Sequence, residues 1–525
     1  MRAPLVLTAC ALVLLGAATA RAEVVVEPTA NAGVADTQPD AGVVAAPPPT
    51  TPPTLPAVMT PPPTTAPTTT TVKAPAPRLL SELKGNVSQS IGGRMMGLVG
   101  IVSMMGIAWL LSTDRRRISW RPIWIGVLLQ LGFALFVLKT AVGAAVFAAG
   151  NDLITGLLQF SDAGSRFVFG NLIDNKIPVG VGLSPSPNDP RVVGEMFAST
   201  GSMIAFRVLP TVLFFSALTA VSYHLGILQR VVNALSIVMH RTMGVSGAES
   251  LSTSANIFLG QTEAPLLVRP YLERMTSSEL CCIMAGGFAT VAGGVMAAYV
   301  GMLSSTFPDI AGHLMAASVM AAPATIVMSK LMVPETEEPV TRGGVDAPTE
   351  KIDANVIDAA TRGISEGLHL ALNVGAMLIG FLALIAMVNA MLGGALGFIG
   401  IEGITLEKIF GVVGAPIAFL LGTPVEDVAA VGQLIGTKTV VNEFVAYLQL
   451  SAMMDSGAIV HGKSVVIAVY ALCGFANFGS IGIQIGGLAA LMPSRRGDLA
   501  RIGPRAMVAG ALASFQTAAV AAMVL

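Results

Sequence analysis

The residues able to do chemistry are few and fall in two clusters. The first runs Asn256-Ile257-Phe258-Leu259-Gly260-Gln261-Thr262-Glu263-Ala264-Pro265, continued at Gly287-Phe288-Ala289-Thr290. The second holds Asn442-Glu443 and Gly474-Phe475-Ala476-Asn477, with Ser480 just beyond. Long apolar segments flank both, so their carboxylates lie at membrane depth, where an acid costs about 2.5–3.5 kcal/mol at a helix centre. Glycine and proline beside them break the helix and free backbone carbonyls. The chemistry on offer is recognition of a polar solute within the membrane. Bond cleavage lacks its parts, since no nucleophile–base pair is recognisable. The five histidines are scattered without an HExxH motif, and the four cysteines (Cys10, Cys281, Cys282, Cys473) have neither metal nor disulfide spacing.

Composition sets the class. Of 525 residues, 53% are hydrophobic and only 12% charged, against about 25% charged in soluble chains. A polytopic helical membrane protein follows. A net charge of −1 gives nucleic acid no basic surface to bind.

Met1 to Ala22 reads as a secretory signal peptide: Arg2, an apolar core from Leu5 to Ala18, and small residues at Ala20-Arg21-Ala22. An uncleaved anchor is the competing reading. Residues 23–77 are rich in Pro and Thr, as in Thr60-Pro-Pro-Pro-Thr-Thr65, and read as a disordered periplasmic spacer or a tail without a partner. Arg78 to Ser90 is amphipathic. Spans are expected at Met95 to Leu111, Pro122 to Ala149, Ile204 to Leu225, Leu280 to Met302, His313 to Met332, Glu366 to Met391, Val465 to Leu491 and Ala506 to Leu525. Asn151 to Leu172 suits a helix on the outer surface, before a proline-rich loop from Ser184 to Arg191. Ile227 to Met243 and Leu406 to Leu421 suit interfacial helices. The basic loops Asp114-Arg115-Arg116-Arg117 and Arg495 to Arg505 are cytoplasmic by the positive-inside rule, which places the mature N-terminus and the C-terminus in the periplasm. Pro334 to Ile364 reads as a cytoplasmic linker.

Ser250 to Leu259 and Pro265 to Leu272 are each too short to span, so they form a hairpin entering from the cytoplasm. Glu426 to Leu450 forms a second, entering from outside. The spans after them are interrupted at Thr290 to Gly294 and at Asn477 to Gly482. The halves echo each other, Gln261-Thr262-Glu263 answering Asn442-Glu443 and Gly287-Phe288-Ala289-Thr290 answering Gly474-Phe475-Ala476-Asn477. The expected fold is an all-α polytopic membrane protein. It has about eight transmembrane helices, two opposed re-entrant hairpins and interfacial helices, arranged as an inverted repeat. Such repeats belong to secondary transporters. A channel would need a continuous pore, and opposed hairpins favour alternating access.

These motifs, with Gly436-Thr437-Lys438, Asn442-Glu443-Phe444-Val445-Ala446-Tyr447 and Phe475-Ala476-Asn477-Phe478-Gly479-Ser480-Ile481-Gly482, resemble the concentrative nucleoside transporter family, of bacterial Na⁺-coupled type. Leu129-Gln130-Leu131 and Phe167-Val168-Phe169-Gly170 extend the resemblance over residues 90–525; residues 1–80 stand outside it. The resemblance implies a homotrimer in the inner membrane, with N-terminal scaffold helices (78–200), two repeats (201–333 and 365–525) and a mobile transport domain. It implies nucleoside binding through Gln261, Thr262, Glu263, Val295 and Phe475 on the base, and Glu443, Asn477 and Ser480 on the ribose. An ionised carboxylate suits vicinal hydroxyls, and an amide with a hydroxyl suits a base edge. It implies a Na⁺ site from the side chains of Asn256 and Thr290 and the carbonyls of Leu259 and Val291, and no cofactor. Proton coupling through Glu263 or Glu443 stays open, as does pyrimidine against purine preference. Plainer roles compete: a structural carboxylate for Glu263, helix caps for Asn256 and Asn442, core packing for Phe475.

Overall fold

The structure, a computed structural model, describes residues 91–174, 177–178, 197–198, 204–304, 306–345, 353–397 and 403–524. The expected signal peptide, the Pro/Thr spacer and the loop from Ser184 to Arg191 lie outside the described residues. All that is described belongs to one unit, Ala76–Leu525. It is helical apart from two short strands, β1 (Ile177–Pro178) and β2 (Phe197–Ala198), paired antiparallel.

The first helices are α1 (Ile91–Leu110), α2 (Trp120–Lys139) and α3 (Ala141–Phe169). The second span therefore ends at Lys139, ten residues before the expected Ala149. Thr140 makes the corner: its backbone is extended and its hydroxyl accepts from Gly143 N at 2.9 Å, capping α3. A Cβ at Gly143 would collide with the Phe136 carbonyl. The surface helix expected from Asn151 is thus the continuation of α3. Its length and apolarity would let it span, but its contacts lay it across the bundle. Phe147 packs on His313, Gly150 faces Met315, and Asp162 pairs with Arg207 at 2.8 Å. It therefore meets two other helices at their N-terminal ends.

Those two are α4 (Leu209–His224), led in by a π turn (Ile204–Val208), and α9 (Ile310–Met332). Along α4 lies α10 (Val356–Gly397). A Cβ on Gly363 or Gly367 would come within 2.7–2.8 Å of α4 backbone atoms, so a glycine pair four apart sets this close approach. The stretch expected as linker up to Ile364 is already helical from Val356, where α10 begins. The polar look of this stretch comes from an ion-pair ladder. Arg362 donates to both oxygens of Asp353 (2.7 and 3.0 Å) and to Glu366 (2.8 Å).

Between these lie α5 (Ile227–Met243), bounded by Gly226 and Gly244 in left-handed conformation, and the first hairpin. Its arms are α6 (Gly247–Ala255) and a 3-10 segment, Ala264–Arg274, whose Pro265 and Pro270 forbid a regular α-helix. A broken helix follows: α7 (Ser277–Ala289), a gap at Thr290–Ala292, and α8 (Gly293–Leu303). Both α6 and α7 start with capping boxes, Ser246 with Glu249 and Thr276 with Glu279.

The second half repeats this order: α11 (Leu406–Leu420), hairpin arms α12 (Val428–Val440) and α13 (Glu443–Ser456), a broken helix α14 (Gly462–Leu472) with α15 (Phe478–Leu491), then α16 (Arg496–Val524). The second break covers residues 473–477, earlier than the expected Asn477 to Gly482. Gly474 turns the chain there with φ +126°, and Asn477 caps α15 by accepting from Ser480 N at 2.8 Å.

Among the described residues seven helices are long and apolar enough to cross a membrane. Most of α9 and α16 is buried inside the protein, whereas α4 and α10 are largely uncovered. A buried amide network joins α2 to this core. Gln130 donates to Thr517 Oγ1 (2.9 Å) and Met320 O (3.3 Å), and accepts from Gln516 (2.8 Å). Thus α2, from the segment expected to be scaffold, packs on α9 and α16, while α4 and α10 pair with each other.

Candidate functional site

The two broken helices meet at their breaks. A Cβ on Gly474 would stand 2.6 Å from Phe288 O, so only glycine lets the second break lie on the first. Ser514 of α16 reaches both: its hydroxyl donates to Cys473 O at 2.7 Å and lies 3.4 Å from Ala289 O. Gly510, one turn earlier, gives Phe288 its space.

Beside this junction the structure brings Glu443, Asn477 and Ser480 together. Asn442 caps α13 through its side chain, accepting from Val445 N at 2.9 Å, and so sets Glu443 at the first helical position. The carboxylate is buried. Tyr299 donates to Oε1 at 2.9 Å and Asn477 Nδ2 donates to Oε2 at 3.2 Å. Each oxygen keeps a further lone pair for a ligand hydroxyl. Tyr299 comes from α8, in the other half. Its ring stacks on Tyr447 at 4.4 Å, and the Tyr447 hydroxyl donates to Val469 O at 2.8 Å.

The tip of the first hairpin leans on α15. Gln484 donates to Gln261 Oε1 at 3.1 Å and to Met284 O at 2.9 Å. A Cβ on Gly487, one turn on, would touch Thr262 Cγ2, and one on Gly287 would overlap both glutamines. Glu263 is exposed and accepts from Gly260 N at 3.3 Å. It opens on a cleft of about 120 Å³ whose far wall is Ser216, Thr219 and Tyr223 of α4 and Arg362 and Glu366 of α10. Glu263 lines that cleft, and Gln261, just before it on the tip, does not. Val295 is buried on α8 and Phe475 is half-buried in the second break. Below the cleft, the Arg362 guanidinium holds the Asp353 carboxyl below the usual carboxylate range.

The four residues expected to hold a cation fall on two segments that are bonded to each other. The turn 256–259 is tied to the first break by Gly293 N donating to Phe258 O at 3.1 Å. Asn256 Nδ2 donates to Ser252 O at 3.1 Å, while its Oδ1 is buried with no partner. Thr290 spends its hydroxyl proton on Gly286 O (2.9 Å), which leaves its oxygen lone pairs free to coordinate. Asn256 borders Gly286, where a Cβ would stand 3.0 Å from Nδ2. Leu259 and Val291 are buried alongside. An orphaned amide oxygen beside a hydroxyl and the ends of broken helices is an all-oxygen environment, the kind a hard monovalent cation takes.

Sequence reasoning missed Tyr299, Gln484 and Ser514, and quoted Lys438 in a motif without giving it a role. Tyr299 is the lone polar side chain of α8, whereas the others share their helices with further polar residues. Only the polarity itself, costly at this depth, could have flagged them.

Comparison with known proteins gives consistent matches. A family described as "Na+ dependent nucleoside transporter", C-terminus, matches residues 313–522, and its N-terminus matches residues 99–172. A "Nucleoside recognition" family matches residues 205–306. The chain is 42% identical over 433 residues to an uncharacterized transporter of Haemophilus influenzae, covering 82% of this chain and 97% of that protein. It is 38% identical over 441 residues to Sodium/nucleoside cotransporter 1 of Mus musculus, covering 82% of this chain and 63% of the mouse protein. Among solved structures it is similar to CNTnw in an inward-facing substrate-bound state, with a TM-score of 0.73 at 39% identity, covering 82% of this chain and 97% of that one.

Proposed function

The chain belongs to the Na⁺-dependent nucleoside transporter family, whose members are transporters and not enzymes, and from that premise we propose that it is a Na⁺-coupled symporter. It imports nucleosides such as uridine across the inner membrane by an elevator-like, alternating-access movement, as a homotrimer. The observation that carries this reading is the pairing of two prepared sites on one core. Glu443 is held by Tyr299 and Asn477 with lone pairs to spare, and Asn256 Oδ1 waits unpartnered beside Thr290.

The residues divide the work. Glu443, Asn477 and Ser480 hold the ribose hydroxyls, and a site built to bond hydroxyls rejects analogues lacking them. Gln261, Thr262, Glu263, Val295 and Phe475 hold the base. Asn256, Thr290 and the carbonyls of Leu259 and Val291 take the Na⁺, which travels as co-substrate. The ion orders the turn 256–259 against the first break, and that turn leads directly into Gln261. Ion binding thus shapes the base side of the site, which is the coupling. The unpartnered amide oxygen of Asn256 favours Na⁺ over H⁺, because an amide oxygen does not titrate near neutrality.

The decisive experiment is uridine uptake into proteoliposomes, with adenosine in competition and Na⁺ replaced by choline. Uptake that ignores the Na⁺ gradient removes the coupling, and absence of saturable uptake removes the nucleoside. Glu443→Gln is expected to nearly abolish ribonucleoside binding.

A further inference from the structure

That reading leaves one buried oxygen of the first hairpin unused. The hairpin arm α6 carries hydroxyls at Ser250, Ser252, Thr253 and Ser254, and all of these residues are buried. Three of them have partners. Ser250 spends its proton on Ser246 O at 2.8 Å, the usual bond of a serine inside a helix. Thr253 Oγ1 lies 3.9 Å from Cys282 Sγ, and Ser254 donates to Met239 Sδ at 3.7 Å. Ser252 Oγ has no hydrogen-bond partner, although the residue is fully buried. Leaving a buried hydroxyl unpaired is costly, so this position calls for a polar guest.

Ser252 stands one helical turn before Asn256, on the same face. The two are bonded. The backbone N and the amide Nδ2 of Asn256 both donate to Ser252 O, at 3.0 and 3.1 Å. The other edge of that amide, Oδ1, is the second orphaned oxygen of this face. Two buried, unpartnered oxygens thus stand a turn apart, on Cβ atoms separated by about 5–6 Å. About one turn further toward the N-terminus, Glu249 Oε1 meets the Lys330 ammonium at 2.5 Å. Lys330 also donates to Ser278 Oγ (2.8 Å) and Glu335 (3.3 Å). That ammonium is therefore fully engaged at the base of the arm, and Ser252 is left for another guest.

We infer that Ser252 is a positioning residue of the cation site, its hydroxyl holding a water that the transported ion keeps as a ligand. The oxygens assigned to the ion above sit on the turn 256–259 and on the first break. An ion that touches Thr290 at that break is beyond direct reach of Ser252, a turn away from Asn256. One water spans the gap. Its oxygen faces the ion, and its hydrogens go to Ser252 Oγ and Asn256 Oδ1. A buried water needs about two to four polar partners, and these three supply them. An ion that keeps a water also costs less to bury than one stripped bare. This rests on the Na⁺ reading above and adds a residue outside the set given there.

The test needs no nucleoside. Thermal melts of the full-length protein are followed as Na⁺ replaces choline at constant ionic strength, and the dependence of Tm on Na⁺ gives the affinity for the ion. Ser252→Ala is expected to weaken Na⁺ by about fivefold, the loss of one hydrogen bond. Its Tm in choline stays level or rises, because the orphaned hydroxyl is gone. Ser252→Cys keeps the volume, gives up the hard oxygen and is expected to lose Na⁺ affinity likewise. Ser250→Ala, whose hydroxyl is spent on Ser246 O, is the control and keeps wild-type Na⁺ affinity. Unchanged Na⁺ affinity in either Ser252 variant overturns the inference. So does an equal loss in Ser250→Ala, or a lower Tm of Ser252→Ala in choline, the mark of a structural hydroxyl. A wild type that Na⁺ does not stabilise overturns it too, and uridine uptake then decides the symporter reading by itself.

Discussion

Tyr299 and Glu443 stand 144 residues apart and meet through a 2.9 Å hydrogen bond that crosses from one half of the chain to the other. The carboxylate orientation is therefore set by a residue outside its own repeat. Tyr299→Phe removes that donor and little else, since the ring still stacks on Tyr447. A hydrogen bond to a charged group contributes about 1.5–3 kcal/mol. Uridine affinity is expected to fall by roughly tenfold to a hundredfold, with the melting temperature nearly unchanged. Wild-type affinity in calorimetry would refute this role.

Asn256→Ala deletes the unpartnered amide oxygen. The Na⁺ concentration for half-maximal uptake is expected to rise at least about tenfold, a loss of about 1.4 kcal/mol, while uridine affinity at saturating Na⁺ changes much less. Equal losses in both parameters would point to a helix cap. Na⁺ titration of uptake separates the two.

Gln484 fixes Gln261 from the far half. Gln484→Ala frees that amide and is expected to cost about 1 kcal/mol of base recognition. The loss is read as weaker uridine binding with ribose discrimination intact. Measuring uridine against its 2′-deoxy analogue in the variant checks this; a collapse of that discrimination would place Gln484 elsewhere in the site.

Gly474→Ala places a Cβ 2.6 Å from Phe288 O at a backbone angle, φ +126°, that other residues rarely adopt. The expected cost is on the order of 3 kcal/mol, from strain and overpacking together. Gly106→Ala on α1, with nothing within 4 Å of the added atom, is the control and stays within about 0.5 kcal/mol. Thermal melts in detergent compare the pair.

The fold was legible wherever periodicity and punctuation agreed. Helix α5 runs from Ile227 to Met243 as expected, because glycines bound it on both sides. Boundaries failed where one residue outweighed the apolar run. Thr140 ended α2 early, and Gly474 moved the second break toward the N-terminus. The charged stretch from Asp353 to Ile364 fell in the expected linker because ion pairs along a helix resemble loop polarity. At the candidate site, Asn256, Thr290, Glu443, Asn477 and Ser480 were named through the resemblance, on motifs that carry helix breakers. Tyr299, Gln484 and Ser514 were not. Each answers a group more than 30 residues away or in another helix, and no local pattern encodes a partner at that distance.

The hydroxyl of Ser514 bears on both interruptions at once, with Gly474 pressed against Phe288. The two broken helices are in effect spliced at their weakest points. In the transport cycle proposed above, neither broken helix is expected to swing without its twin, so ligand is not expected to enter by parting them. Admission is then expected at the hairpin tips, the first of which is bonded to α15 through the side chain of Gln484. The pocket floor is a single casting, and the doors are the two loops laid over it.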